Sequence, residues 1–447
     1  MGVGAFVEPL VVVTLLFGGA WVNRNTSVRF SLKAPSSRRN SSDNLESGLR
    51  SPNSEDGLLE DPQNRPISPS LLPSQESRYR TRKLRLFSWQ KEVTSPNTRL
   101  HKNTFLSRVL QKLPFLVEVW YWALIYWVYQ VGRAITALTL VEGTVDVARK
   151  HALQIIHLEK KLHIFWELPV QHWFLKHPLL MIWTNRIYSF IHIPGTILFL
   201  VFLFYYTTTS NRIDSRREHR DGNRINGSPA GPLLYEARRR TMAVCNLIAF
   251  IVFTLWPCMP PRLLSDKDVK GPIGKEARSY GFVDTVHGEG GESSVWTQNK
   301  FCNQYAAMPS LHFGYSLLIG LTVMTIPLAP QHQQSRHFNF SVRSYPLSTS
   351  VPSVRRVLCV LVGLAYPLTI LLAIVATANH FVLDAVAGAM VCGIAWYSNG
   401  ILLNLVPLED YFLSLLRIHK PENVPVTAVD GLDDEDDYAV GKGVVER

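Results

Sequence analysis

Seven stretches of the chain are almost entirely apolar, and each is close to the ~20 residues that an α-helix needs to cross a bilayer core. Charged residues are almost absent from them, whereas a soluble protein interrupts such runs with polar positions at helical or strand period. The pattern therefore predicts an all-α membrane protein with a six-transmembrane-helix bundle and an extra N-terminal transmembrane anchor. The apolar stretches lie at residues 5–22, 113–137, 187–206, 241–257, 311–328, 357–377 and 381–406.

The remaining segments complete the expected domain organisation. Residues 1–22 are expected to form a signal anchor or a signal peptide. Residues 23–111, rich in Ser, Arg, Asn and Pro, are predicted to form a disordered basic cytosolic tail. Residues 112–406 form the predicted six-span catalytic membrane domain, within which apolar residues at helical spacing after 143 predict an amphipathic interfacial helix. Residues 407–447, which contain an unbroken acidic run, are predicted to be a polar acidic C-terminal tail.

Three short motifs stand at the ends of predicted spans. Pro-Cys-Met-Pro-Pro-Arg at 257–262 ends the third span, Met-Pro-Ser-Leu-His at 308–312 begins the fourth, and Asn-His-Phe-Val-Leu-Asp at 379–384 begins the sixth. A chain that leaves the membrane after the third span must re-enter from the same face, and the fifth and sixth spans repeat this path. The topology therefore predicts that all three motifs meet at one membrane face.

The residue types in these motifs suit phosphoryl transfer. His380 and Asp384 are four positions apart, which places them one turn apart on one side of a helix. A carboxylate there can accept the hydrogen of one imidazole nitrogen and so leave the lone pair of the other nitrogen available. The alternative is a purely structural His–Asp hydrogen bond. His312 would supply a second imidazole for proton transfer. Ser310 and the following helix N-terminus can bind phosphate oxygens, and Arg262 can add a fixed positive charge.

The paired Pro-Ser-x-His and His-x-x-x-Asp motifs resemble those of the type 2 phosphatidic acid phosphatase superfamily. Leu311 stands where these phosphatases usually have Gly, and the form with Leu is similar to the branch of fungal inositol phosphorylceramide synthases. The resemblance covers roughly residues 140–405. It implies that His380 is the nucleophile, Asp384 its orienting partner and His312 the general acid, with Ser310 and Arg262 binding phosphate.

Two departures from the family pattern concern charge neutralisation. Ile374 occupies the position, six residues before the nucleophile, where the superfamily often has Arg, and the usual upstream Lys of the first motif is missing. Arg186, near the beginning of the second span, is therefore predicted to supply part of the phosphate-binding charge. Its neighbours Tyr188 and His192 could contact substrate, although core packing is the favoured interpretation for each. We expect no metal and no other cofactor.

Loop charge predicts the orientation in the membrane. The formal net charge is +11. The loop at 207–240 carries eight arginines against four acidic residues, and the loop at 329–356 has four arginines and no acidic residue. Basic loops face the cytosol, so the active site is predicted to be luminal, in the Golgi or ER membrane. Sugar on the potential glycosylation sites Asn40, Asn226 or Asn339 would contradict this orientation.

Composition also limits the partners and functions. The absence of an aromatic–basic or zinc motif argues against nucleic acid, so we expect membrane lipids as partners, with a phospholipid donor and ceramide as a candidate acceptor. Nothing in the sequence indicates protein partners. Cys258 and Cys302 flank one loop and would either pair or stay free. The function is predicted to be transfer of a phosphoryl headgroup to a lipid hydroxyl. Lipid phosphate hydrolysis and a non-catalytic scaffold or transporter are the alternatives.

Overall fold

The computed structural model describes residues 4–28, 77–86, 88–139, 143–214, 229–266, 269, 271–285, 305–332, 336–342 and 345–421. Several sequence predictions lie outside these residues: most of the proposed disordered tail (29–76), Asn40, Asn226, Cys302 and the acidic run at 433–437. The chain divides into two compact units. The larger unit comprises Met1–Asn25, Leu113–Leu403 and Glu422–Arg447, and the smaller comprises Thr26–Lys112 and Asn404–Pro421.

The described residues form thirteen α-helices and two β-hairpins. In chain order the helices and strands are α1 (Gly4–Val22), β1 (Tyr79–Leu86), β2 (Trp89–Pro96), α2 (Phe105–Lys112), α3 (Phe115–Thr139), α4 (Thr144–Lys161), α5 (Glu167–Leu175), α6 (Pro178–Arg186), α7 (His192–Phe204), α8 (Pro232–Leu255), α9 (Pro272–Ser279), α10 (Leu311–Thr325), β3 (Arg336–Val342), β4 (Tyr345–Val351), α11 (Val354–Ala376), α12 (Val382–Ser398) and α13 (Val406–Leu415). Two π-helical turns, Ile187–Ile191 and Tyr205–Thr209, flank α7.

The predicted helical membrane architecture is confirmed in part. Three helical segments in the described part of the chain are long and apolar enough to cross a bilayer: His192–Asp214, Val354–Ala376 and Val382–Leu415. Helices also occupy the other predicted spans, but α10 is shorter, and α8 begins with a basic stretch that lowers its hydropathy. The count of six spans is therefore not confirmed.

The core of the larger unit forms where α10 packs against both α11 and α12. Glycines allow these helices to approach closely. Gly320 of α10 faces Gly363 of α11, and Gly314 of α10 faces Gly388 of α12, with backbone atoms where side chains would otherwise stand. Buried apolar residues continue the core on either side of these crossings, as with Leu318. The two helices that carry the second and third motifs are thus held together along their lengths.

Helix α4 confirms the predicted helix after residue 143. Its buried positions include Ala148, Ala152 and Ile156, which fall on one face at helical spacing. This face packs in the same apolar cluster as Met259 and Phe381, next to the first and third motifs. The amphipathic stripe therefore covers the site region of the larger unit.

The smaller unit corrects three sequence predictions. Residues 77–86 and 88–111 are not disordered, because β1 and β2 form an antiparallel hairpin and α2 follows it. Its packing partner is α13, in the segment predicted to be a polar tail. The Asp410 carboxylate, 1% exposed, accepts hydrogen bonds from Arg80 (2.6 Å), Arg82 (3.1 Å) and Ser95 (2.7 Å). The all-α class is also wrong in detail, since this hairpin and the β3–β4 hairpin are present. Partners more than 300 positions apart leave no local pattern in the sequence.

Candidate active site

Main-chain hydrogen bonds join the three motif segments. The Cys258 N–H donates to the Tyr305 carbonyl (2.9 Å), and the Ala307 N–H donates back to the Cys258 carbonyl (3.0 Å). The Arg262 N–H donates to the Ala378 carbonyl (2.9 Å). The segment at 257–262 thus lies between the other two and pairs with both. The structure therefore brings the three motifs together, as the topology predicts.

His380 lies in a tight turn between α11 and α12. Ala378 in this turn has a φ of +50°, in the left-handed region that non-glycine residues rarely adopt. The His380 ring is 6% exposed, and its Nδ1 lies 2.8 Å from the Ala307 carbonyl oxygen. Because a carbonyl can only accept, Nδ1 must carry the hydrogen, which leaves Nε2 as a lone pair in the neutral ring. This tautomer is the one that a nucleophilic histidine needs.

Asp384 has a different main contact from the one that the sequence suggests. Its Oδ2 is 3.5 Å from His380 Nδ1, farther than the Ala307 carbonyl. The same oxygen accepts a hydrogen bond of 2.9 Å from the Phe381 N–H. Asp384 is fully buried and caps the first turn of α12. Its negative charge is still next to the imidazole, but the nearer acceptor that fixes the ring is main chain.

His312 stands next to His380 at the N-terminus of α10. The two ring centroids are 5.7 Å apart, a separation that allows both imidazoles to contact one phosphate group. Ser310, the N-cap of α10, is fully buried, and its hydroxyl oxygen accepts from the Phe313 N–H (3.4 Å). The Ser310 N–H donates to the Asp384 carbonyl (2.9 Å), so the caps of α10 and α12 are joined directly.

Arg262 is buried beside the turn that carries His380. Its Nε donates to Asn379 Oδ1 (2.8 Å), and its Nη1 donates to Asp284 Oδ2 (3.0 Å). The guanidinium is therefore held by the residue that precedes His380. Arg186, by contrast, ends α6 with an exposed side chain, 5.5 Å from the centre of the Trp183 ring. Phosphate binding by Arg186 remains a prediction.

A comparison with protein families gives this geometry a context. The family model of the PAP2 superfamily matches residues 153–214, 230–332 and 335–398, which together make up about half of the chain. The chain belongs to the PAP2 superfamily. No curated protein matches the chain, and no solved structure matches it. Membership in the PAP2 superfamily indicates phosphatase-type or phosphotransferase chemistry on lipids in a membrane protein.

The candidate site also contains a third histidine, His192, which we expected from the sequence to be a core-packing residue. The His192 ring centroid is 5.0 Å from that of His312, and His192 Nδ1 is 3.1 Å from the Tyr366 hydroxyl. The Tyr188 ring lies 4.7 Å from the His312 ring on another side. His192 stands on a membrane helix in sequence, which is a signal for function. The position of His192 on a predicted span could therefore have identified it as a candidate functional residue.

Two buried glutamates near the PAP2 motifs were missed altogether. Glu167 Oε1 accepts a hydrogen bond from the Val382 N–H (2.6 Å), and Glu159 Oε1 accepts one from the Leu383 N–H (2.8 Å). Neither glutamate is exposed. Both lie in a stretch rich in His, Lys and Glu, where sequence alone does not distinguish a buried carboxyl group from a solvated one.

Proposed function

We propose that this protein is a membrane phosphotransferase that moves a phosphoryl headgroup, such as phosphoinositol, from a phospholipid to a lipid hydroxyl. The observation that carries the proposal is which ring nitrogen of His380 carries the hydrogen. Its Nδ1–H is donated to the Ala307 carbonyl, so Nε2 is free to attack, with the His312 ring 5.7 Å away. Membership in the PAP2 superfamily supports a phosphoryl-transfer reaction on lipids.

The proposed reaction has two steps that reuse the same residues. His380 Nε2 attacks phosphorus, the bond from phosphorus to the diacylglycerol oxygen breaks, and protonated His312 gives its proton to the departing oxygen. The acceptor hydroxyl then attacks the phosphohistidine, His312 takes the hydroxyl proton, and the phosphorus–nitrogen bond breaks. Arg262 and the backbone N–H groups at the start of α10 stabilise the charge on the phosphoryl oxygens.

The choice of acceptor and location rests on finer features. Leu311 stands beside His312 where the phosphatases of the family usually have Gly, and this favours transfer to a lipid such as ceramide over hydrolysis. The arginine-rich loops at 207–240 and 329–356 favour a luminal site in an endomembrane. Glycans on Asn226 or Asn339 would reverse this orientation.

The test uses purified full-length protein with headgroup-labelled phospholipids, with and without ceramide. A labelled phosphosphingolipid that requires ceramide supports transfer, whereas release of the labelled headgroup phosphate into water, with or without ceramide, identifies hydrolysis instead. An acid-labile phosphohistidine should be trapped in the wild type and absent from His380→Ala. The matched control is His157→Ala, which removes an exposed histidine outside the three motifs. Turnover by His380→Ala at the wild-type rate would refute both enzyme functions.

A further inference from the structure

The first turn of α12 is held by three carboxyl groups from three different helices. Asp384 accepts from the Phe381 N–H, Glu167 from the Val382 N–H and Glu159 from the Leu383 N–H. These N–H groups have no main-chain acceptor within their own helix, because the first N–H groups of any α-helix precede its intrahelical hydrogen bonds. They directly follow His380 along the chain. The glutamates therefore join the α4–α5 region to the backbone that carries the proposed nucleophile.

The second oxygens of the glutamates show how the pair must be protonated. Within the described residues, Glu159 Oε2 and Glu167 Oε2 are buried and receive no hydrogen bond from a donor. The two carboxyl groups lie side by side, because they accept hydrogen bonds from the adjacent N–H groups of Val382 and Leu383. Two ionised carboxylates placed side by side would repel each other, and both Oε2 atoms would stay without a hydrogen-bond donor. A single proton between them removes the repulsion and supplies the missing hydrogen bond.

The surroundings of the pair favour retention of this proton. Burial, followed by the charge of Glu167, raises the pKa of Glu159 from 4.5 to about 9, and burial also raises the pKa of Glu167. Asp384 of α12 faces both glutamates, and the thiol of Cys258, whose pKa is raised by burial, faces Glu159. Neither supplies a positive charge that would stabilise two carboxylates.

We propose that Glu159 and Glu167 are positioning residues for His380, and that they share one proton while each accepts a hydrogen bond from the first turn of α12. The arrangement also occupies the backbone donors of α12. It leaves the N-terminus of α10 as the neighbouring source of backbone donors for a phosphate. The proposal rests on the proposed function only in assigning the chemical step to His380.

The test compares single and double glutamine substitutions. Each single substitution should preserve the hydrogen bonds of the pair, and the double substitution should break them. In Glu159→Gln, the amide oxygen still accepts from the Leu383 N–H, and the amide N–H₂ replaces the shared proton by donating to Glu167. Glu167→Gln works in the same way with the roles exchanged. In the double variant two amide N–H₂ groups face each other, so the pair is broken. The matched control is Glu276→Gln, which alters an exposed glutamate.

The expected kinetic result is non-additive. Each single variant should keep kcat within about threefold of the wild type, while the double variant loses about 10- to 100-fold in kcat with little change in KM. The wild-type kcat should fall as the pH rises through about 9, where the shared proton is lost, and Glu159→Gln should lack this decline. A double variant as active as the single ones, or the same alkaline decline in Glu159→Gln, would overturn the proposal.

Two measurements test the shared proton without any substrate. The infrared spectrum of the wild type should contain a protonated carboxylic acid band at neutral pH that Glu159→Gln lacks. Folding stability should fall as the pH rises from 4.5 towards about 9, because the unfolded glutamate ionises while the folded one keeps its proton. Glu159→Gln should lose most of this slope and Glu276→Gln should keep it. These results stand even if no lipid is turned over, which would refute the proposed function alone. A missing band in the folded wild type would refute the shared proton.

Discussion

The close approach of α10 and α12 predicts a large catalytic effect from one added methyl group. Gly388 lies in α12 against the backbone of α10, and a Cβ at this position would overlap the Ser310 carbonyl oxygen. Ordinary contacts of this kind begin at 3.4 Å. The backbone oxygen cannot rotate away as a side chain would, so Gly388→Ala must separate the two helices by about 1 Å.

The size of the effect follows from what the two helices carry. His312 lies on α10 and His380 immediately precedes α12, so the same displacement increases the distance between the two imidazoles. A misplacement of about 1 Å in an active site costs about 100-fold in rate. Overpacking should lower stability by about 1–3 kcal/mol. The higher helix propensity of Ala offsets about 1 kcal/mol of this loss of stability. We therefore expect a folded protein that turns over slowly.

The measurement is kcat and KM for the labelled phospholipid together with the thermal unfolding midpoint in the same detergent. Gly393→Ala is the matched control, because Gly393 lies on the same helix and a Cβ there meets nothing within 4 Å. The control should match the wild type in activity and be as stable or slightly more stable. If Gly388→Ala kept kcat within about twofold of the wild type, the contact between the helices would not set the separation of the histidines.

Three further changes test other contacts. Arg262→Lys keeps the charge but cannot hold both side-chain partners, and should lower kcat about tenfold in the same transfer assay. Tyr366→Phe removes the hydrogen bond to His192 and should lower kcat about fivefold without changing KM; an unchanged rate would show that this hydrogen bond does not support the reaction. Asp410→Asn weakens the contacts of α13 with two partly exposed arginines, and should destabilise the smaller unit by about 1–3 kcal/mol. Limited proteolysis should then cleave the β1–β2 hairpin faster than in the wild type.

The sequence located the site because its motifs carry both chemical and topological information. His312, His380 and Asp384 are unusual on membrane helices, and the alternation of spans predicts that they meet. Ser310 and Arg262 were found by their place in the same motifs. These arguments need only the order of the apolar stretches and the residue types, and the structure places all five residues around one turn.

The motifs and the order of the apolar stretches could not predict the residues that support the candidate site. The main acceptor for His380 is the carbonyl of Ala307, and a main-chain group has no sequence signature. Glu159 and Glu167 belong to a polar stretch in which buried and exposed charged residues alternate, so only tertiary packing identifies them as buried. The β1–β2 hairpin was missed because its stabilising partner, Asp410, lies at the far end of the chain.

The main-chain pairing of the motif segments bears on how substrate preference can change in this protein. The main-chain bonds that join Cys258, Ala307 and Arg262 to neighbouring segments use only amide hydrogens and carbonyl oxygens. Replacing a side chain in these segments leaves such bonds in place, unless the new residue is proline. Side chains around the candidate site can therefore diverge while the main-chain pairing of its three segments stays fixed.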